Sequence, residues 1–110
     1  MRLVTDRESY FRMQVEAGDT GRATLKIYGE LDIVSMAEFE THLASGPVRE
    51  AHEITFDISD AHFISAHAFA TIGQCSLWAE RVIVRSRTAL ASKVLKAFGY
   101  DRPVCIMVRD

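Results

Sequence analysis

The sequence predicts a single α/β domain with a mixed central sheet of about four to five strands, opened by an antiparallel hairpin and covered by about three helices. Three observations predict it. Apolar residues alternate with polar ones at Phe11/Met13/Val15, Ala23/Leu25/Ile27 and Ile54/Phe56/Ile58, the period of two that puts one face of a strand in a core. Between and after these strands lie segments whose apolar residues recur at three- and four-residue steps, the period of a helix. The 110 residues, 48% hydrophobic and 25% charged, suit one core, so 1–110 reads as one domain.

Met1 to Ser9 is polar and reads as a loose lead-in, with part of a strand near Leu3 and Val4. From Tyr10 to Ala17, Phe11, Met13 and Val15 point one way and Arg12, Gln14 and Glu16 the other, as in a strand wet on one side. Gly18-Asp19-Thr20-Gly21 is a turn, and Ala23, Leu25 and Ile27 form the returning strand, closed by Gly29. Ser35 and Glu38 have the spacing of a capping box, which predicts a helix from Met36 with Met36, Phe39, Leu43 and the stem of Glu40 on its buried stripe. Gly46-Pro47 stops it, and Val48 to His52 is a link.

Ile54, Phe56 and Ile58 give the central strand, followed by a loop from Asp60 to Ile64 that Phe63 and Ile64 anchor in the core. Ser65 is the natural N-cap of a second helix carrying Phe69, Ile72 and Cys75 on one side. Val82-Ile83-Val84 is a continuous apolar run, the pattern of a strand covered on both faces. Ser86 is in place to cap a third helix with Leu90, Val94, Leu95 and Phe98 along its stripe and Gly99 at its end; Lys93 and Lys96 suit the negative end of its dipole. Pro103 precedes a last strand, Val104 to Val108, and right-handed crossovers make the later strands parallel.

A formal charge of -2 with both signs interspersed leaves no stripe for a polyanion, so nucleic acid is not the expected partner. No apolar run approaches the roughly 18 residues of a membrane span, and Met1 to Tyr10 lacks the apolar core of a secretory signal; a cytoplasmic protein without membrane insertion is expected. Cys75 and Cys105 have no metal-ligand spacing and are expected as buried reduced thiols.

Asp57, Ser65 and His67 invite comparison with a catalytic triad, but they sit within one strand-loop-helix unit and no Gly-x-Ser-x-Gly elbow surrounds the serine. His62, His67 and Asp60 lack a spacing that fixes metal ligands. The expectation is therefore of no enzyme, no cofactor and no metal, with Asp57 bonding loop amides and Ser65 serving as a cap.

Asp57-Ile-Ser-Asp-Ala-His-Phe-Ile-Ser-Ala-His-Ala-Phe69 resembles the central motif of STAS domains, the anti-sigma factor antagonists and related sulfate-transporter domains. That motif runs Asp-Leu-Ser-x-Val-x-Phe-Ile-Asp-Ser-Ser/Thr-Gly-Leu, and the serine after its second Asp accepts phosphate from a partner kinase. Upstream, Gly29-Glu30-Leu31-Asp32 resembles the Gly-x-Leu-Asp that ends the family's second strand, and the resemblance covers about Phe11 to Val108. The most diagnostic tetrad departs from the pattern: Ser65 stands for Asp, Ala66 for the phosphoacceptor, His67 for Ser/Thr and Ala68 for Gly.

The resemblance implies a STAS-like fold and a protein-binding surface built from Asp32, Ser65, Ala66 and His67. It also implies the function, that of an antagonist which binds a kinase-like anti-sigma factor and so frees a sigma factor. Because Ala66 has no hydroxyl, the usual serine phospho-switch is expected to be missing unless Ser65 serves as phosphoacceptor. The alternative is a STAS-like scaffold or small-ligand-binding subunit of a transport or sensory complex. A monomer or weak homodimer is expected.

Overall fold

Phe11, Met13 and Val15 turn inward and Arg12, Gln14 and Glu16 outward on β1 (Phe11–Ala17), which pairs antiparallel with β2 (Arg22–Leu31) as the alternation predicts. The structure is a computed structural model that describes residues 11–18, 20–100 and 105–109. The expected lead-in of residues 1–9, the region of Pro103 and the Cys105 thiol lie outside what is described.

After β2 come α1 (Met36–Leu43), a one-turn α2 (Gly46–Arg49), β3 (Glu53–Asp57) and β4 (Ala61–Ile64). Then follow α3 (Ala66–Gln74), prolonged by a 3-10 turn at Cys75–Leu77, and β5 (Arg81–Ser86), α4 (Leu90–Ala97) and β6 (Cys105–Arg109). The sheet runs β1-β2-β3-β5-β6, with β4 also on β2; every pairing after the hairpin is parallel.

The helices cover one face of the sheet. Leu25, Phe56 and Val84 are register partners on that face, as are Ala23, Ile54 and Val82; all are buried in one cluster with Phe39 of α1, Ile72 of α3 and Leu95 of α4. Among the described residues no element covers the other face, which is half-buried and mainly polar. There Glu53 lies between Arg22 and Arg81 at 3.6 and 3.7 Å, and Lys26, Asp57 and Arg85 form the next charged row. Such solvated pairs contribute little stability, but they keep the uncovered face wet. Ile83, expected under cover on both sides, is instead half-buried on this open face.

Five local expectations are corrected. The segment Asp60 to Ile64 is not all loop, because Ala61–Ile64 adds a strand beyond the end of β3, on the stretch of β2 that β3 leaves unpaired. Gly46-Pro47 ends α1 but also starts α2, since proline suits the first turn of a helix, where its missing N–H costs nothing. Ser86 caps no helix: α4 begins at Leu90, and the Ser86 hydroxyl, buried at the end of β5, bonds the backbone of Thr88. On α4, Leu95 is buried and Val94 packs against the core as expected, but Ala91 completes the stripe while Leu90 and Phe98 face out; Glu40 of α1 is exposed as well.

Candidate functional site

β2 and β4 end together. Leu31 and Ile64 are parallel register partners, so the next residues, Asp32 and Ser65, leave the sheet side by side. The register shifts between Gly29 and Glu30, which leaves His62 as an extra residue on β4, and Gly29 supplies the positive φ of +80° at this bulge. The Ser65 amide then donates to the Leu31 carbonyl at 2.9 Å, fixing the start of α3 against the end of β2.

Ser65 is the N-cap its sequence position predicts. Its backbone is extended (φ -71°, ψ 161°), its Oγ accepts the Ala68 amide at 3.1 Å, and its carbonyl accepts the Phe69 amide. The hydroxyl is thus half-buried and engaged in capping α3. Ala66 and His67 form the exposed first turn, while Ala68 is buried beneath it.

Asp32, not Ser35, supplies the side-chain acceptor at the entry to α1. Its Oδ1 accepts the amides of Val34 at 3.0 Å and Ser35 at 3.4 Å, and its carbonyl accepts that of Met36 at 3.0 Å, so the turn into α1 starts at the aspartate. Ser35 makes no side-chain cap; it is buried, donating to the Glu30 carbonyl at 2.9 Å and accepting the Asp32 amide at 3.0 Å. Two helix starts, α1 and α3, therefore open at the same end of the sheet.

Ile33 and Val34 stand beside them, 87% and 54% exposed. Sequence periodicity missed this pair, although two β-branched apolar residues placed between a strand and a helix, with no partner in either period, are a signal in themselves. Phe63, expected as a core anchor, is 52% exposed, whereas Ile64 does pack on the core.

The chemical alternatives find little geometry. The Asp57 carboxylate accepts the Ser59 amide of its own loop at 3.1 Å, and Asp60 pairs with Arg87 at 3.1 Å on the surface. Among the described residues no group of three His, Cys, Asp or Glu side chains is placed to hold a metal. Cys75 is buried, its Sγ 3.5 Å from the Thr71 carbonyl.

No family model matches the sequence, nor does any curated protein. Solved structures do. The fold is that of the anti-sigma factor antagonists, the SpoIIAA-like α/β fold of STAS domains. An anti-sigma factor antagonist from Mycobacterium paratuberculosis superposes with a TM-score of 0.73 at 16% identity, over 91% of this chain and 86% of that one. SpoIIAA in its unphosphorylated form gives 0.69 at 15%, over 90% of both chains. An antisigma-factor antagonist STAS domain from Rhodobacter sphaeroides gives 0.52 at 22%, over 72% of this chain and 87% of its own. Among the described residues no helix is long and apolar enough to cross a membrane.

Proposed function

We propose that this chain is an anti-sigma factor antagonist-like interaction module, which binds a kinase-like anti-sigma factor in the cytoplasm and frees a sigma factor by competition rather than by catalysis. The observation that carries this is the Leu31–Ile64 register with its Ser65-to-Leu31 hydrogen bond, which gathers Asp32, Ser65, Ala66 and His67 on one surface. The exposed Ile33 and Val34 add the apolar contact that a protein partner rewards and a small polar ligand does not.

The module works without the serine switch. Ala66, at the exposed first turn of α3, offers no oxygen to phosphorylate, and the neighbouring Ser65 oxygen is engaged by Ala68. An antagonist of this kind stays competent for as long as it is present, so its control lies in its amount.

Calorimetric titration of the purified kinase-like anti-sigma factors of the source genome tests the proposal. One of them is expected to bind the wild type and not Ala66→Glu, with the melting temperature kept. Failure of all of them to bind, or equal affinity for the variant, overturns it.

A further inference from the structure

We infer that the groove between β4 and the start of α4 receives a bulky apolar side chain, aromatic or leucine-sized, from the same protein that covers the start of α3; this rests on the function proposed above. The groove encloses about 380 Å³, with Ile64 and Phe69 in its floor, Phe63 on one wall and Leu90 on the other. The two wall residues are 52% and 59% exposed. Folding does not call for either in that position, since α4 buries Ala91 and Leu95 instead, and such paired exposure of large apolar side chains marks interaction surfaces.

Continuity with the α3 start identifies the occupant. Ile64 directly precedes Ser65, and Phe69 is the residue whose amide the Ser65 carbonyl accepts, so the groove adjoins the first turn bearing Ala66 and His67. Ile33 and Val34 flank the other side of that turn, beyond Leu31. A partner lying over the turn meets apolar ground on both sides, and the Arg87–Asp60 ion pair and Thr88 give the groove a polar margin, the anatomy of an anchor pocket. A small-molecule site buries most of its ligand, whereas these walls stand half in water until a second surface closes over them.

The test titrates the anti-sigma factor that binds the wild type against Phe63→Ser, Leu90→Ser, Leu90→Lys and Ala66→Glu, each checked for folding by circular dichroism. Weakening by about tenfold or more in the groove variants, with folding intact, supports the inference. If Phe63→Ser unfolds, the two Leu90 variants, at an exposed helix start, carry the test. Wild-type affinity in the groove variants beside lost binding in Ala66→Glu overturns the groove and leaves the α3 surface standing. Absence of binding by the wild type overturns both. A dimer in light scattering that Leu90→Lys splits, or a small molecule that copurifies with the wild type but not with that variant, also overturns it by giving the groove another occupant.

Discussion

The amide of Ser65 donates to the carbonyl of Leu31 at 2.9 Å, and this one bond holds the first turn of α3 beside the loop that carries Asp32. It belongs to the backbone, so side-chain changes at the surface can be made without moving the site.

Ser65→Ala removes the acceptor for the Ala68 amide and leaves the Leu31 bond in place. The expected cost is about 0.5–2 kcal/mol in urea unfolding, with partner affinity close to wild type. An unchanged unfolding midpoint would show that the cap contributes nothing.

Ala66→Glu places a carboxylate at the positive end of α3, where it favours the helix by about 0.3–1 kcal/mol. Its melting temperature is expected at or slightly above that of the wild type. A clear fall would mean that the first turn is less solvated than its exposure indicates, and the variant would then be unsuitable for titrations. Incubation of the wild type with a partner kinase and ATP is expected to add no phosphate at this turn, which peptide mass mapping checks.

Asp32→Ala leaves the Val34 and Ser35 amides without their carboxylate and is expected to cost about 0.5–2 kcal/mol, Asp32→Asn less, because an amide oxygen still accepts. Ser35→Ala removes a buried hydroxyl bonded to Glu30 and Asp32 and is expected to cost about 1–3 kcal/mol. Chemical denaturation ranks the three; Ser35→Ala as the mildest would contradict the assignment of its bonds.

Gly73 lies inside α3, where alanine normally gains about 1 kcal/mol. Here a Cβ would collide with the ring of Tyr100, which packs over the glycine from beyond α4. Gly73→Ala is therefore expected to destabilise the wild type and to stabilise a Tyr100→Ala background. Thermal melts of the cycle decide it, and the same sign in both backgrounds would exclude the collision.

Much of this was legible in the chain. The β1–β2 hairpin, the central strand and the Ser65 cap follow from period and cap chemistry that act locally. β4 was not legible, because four residues show too little alternation and their partner is the far end of β2. Ser35 and Glu38 have capping-box spacing, but the Asp32 carboxylate takes the Ser35 amide that Glu38 would have reached, and Ser35 is drawn inward. The α4 stripe depends on which of several apolar residues meets the core, and Ala91, the smallest, fits there while Leu90 does not. For the site, the resemblance to STAS domains is what implied Asp32 beside Ser65 to His67; Ile33, Val34 and Phe63 lacked any periodic signature.

The wet face of the sheet bears on how much of the sequence the fold constrains. Thr24, Lys26, Thr55, Asp57 and Arg85 answer to water, while Leu25, Phe56 and Val84 behind them answer to one another. Polar exchange on the wet side leaves the packed side untouched, so descendants can rewrite alternate residues of each strand and still fold alike. What the fold demands of the sequence therefore falls on one side of the strands and at the turns where β2 and β4 end, so chains 15–16% identical can share the architecture.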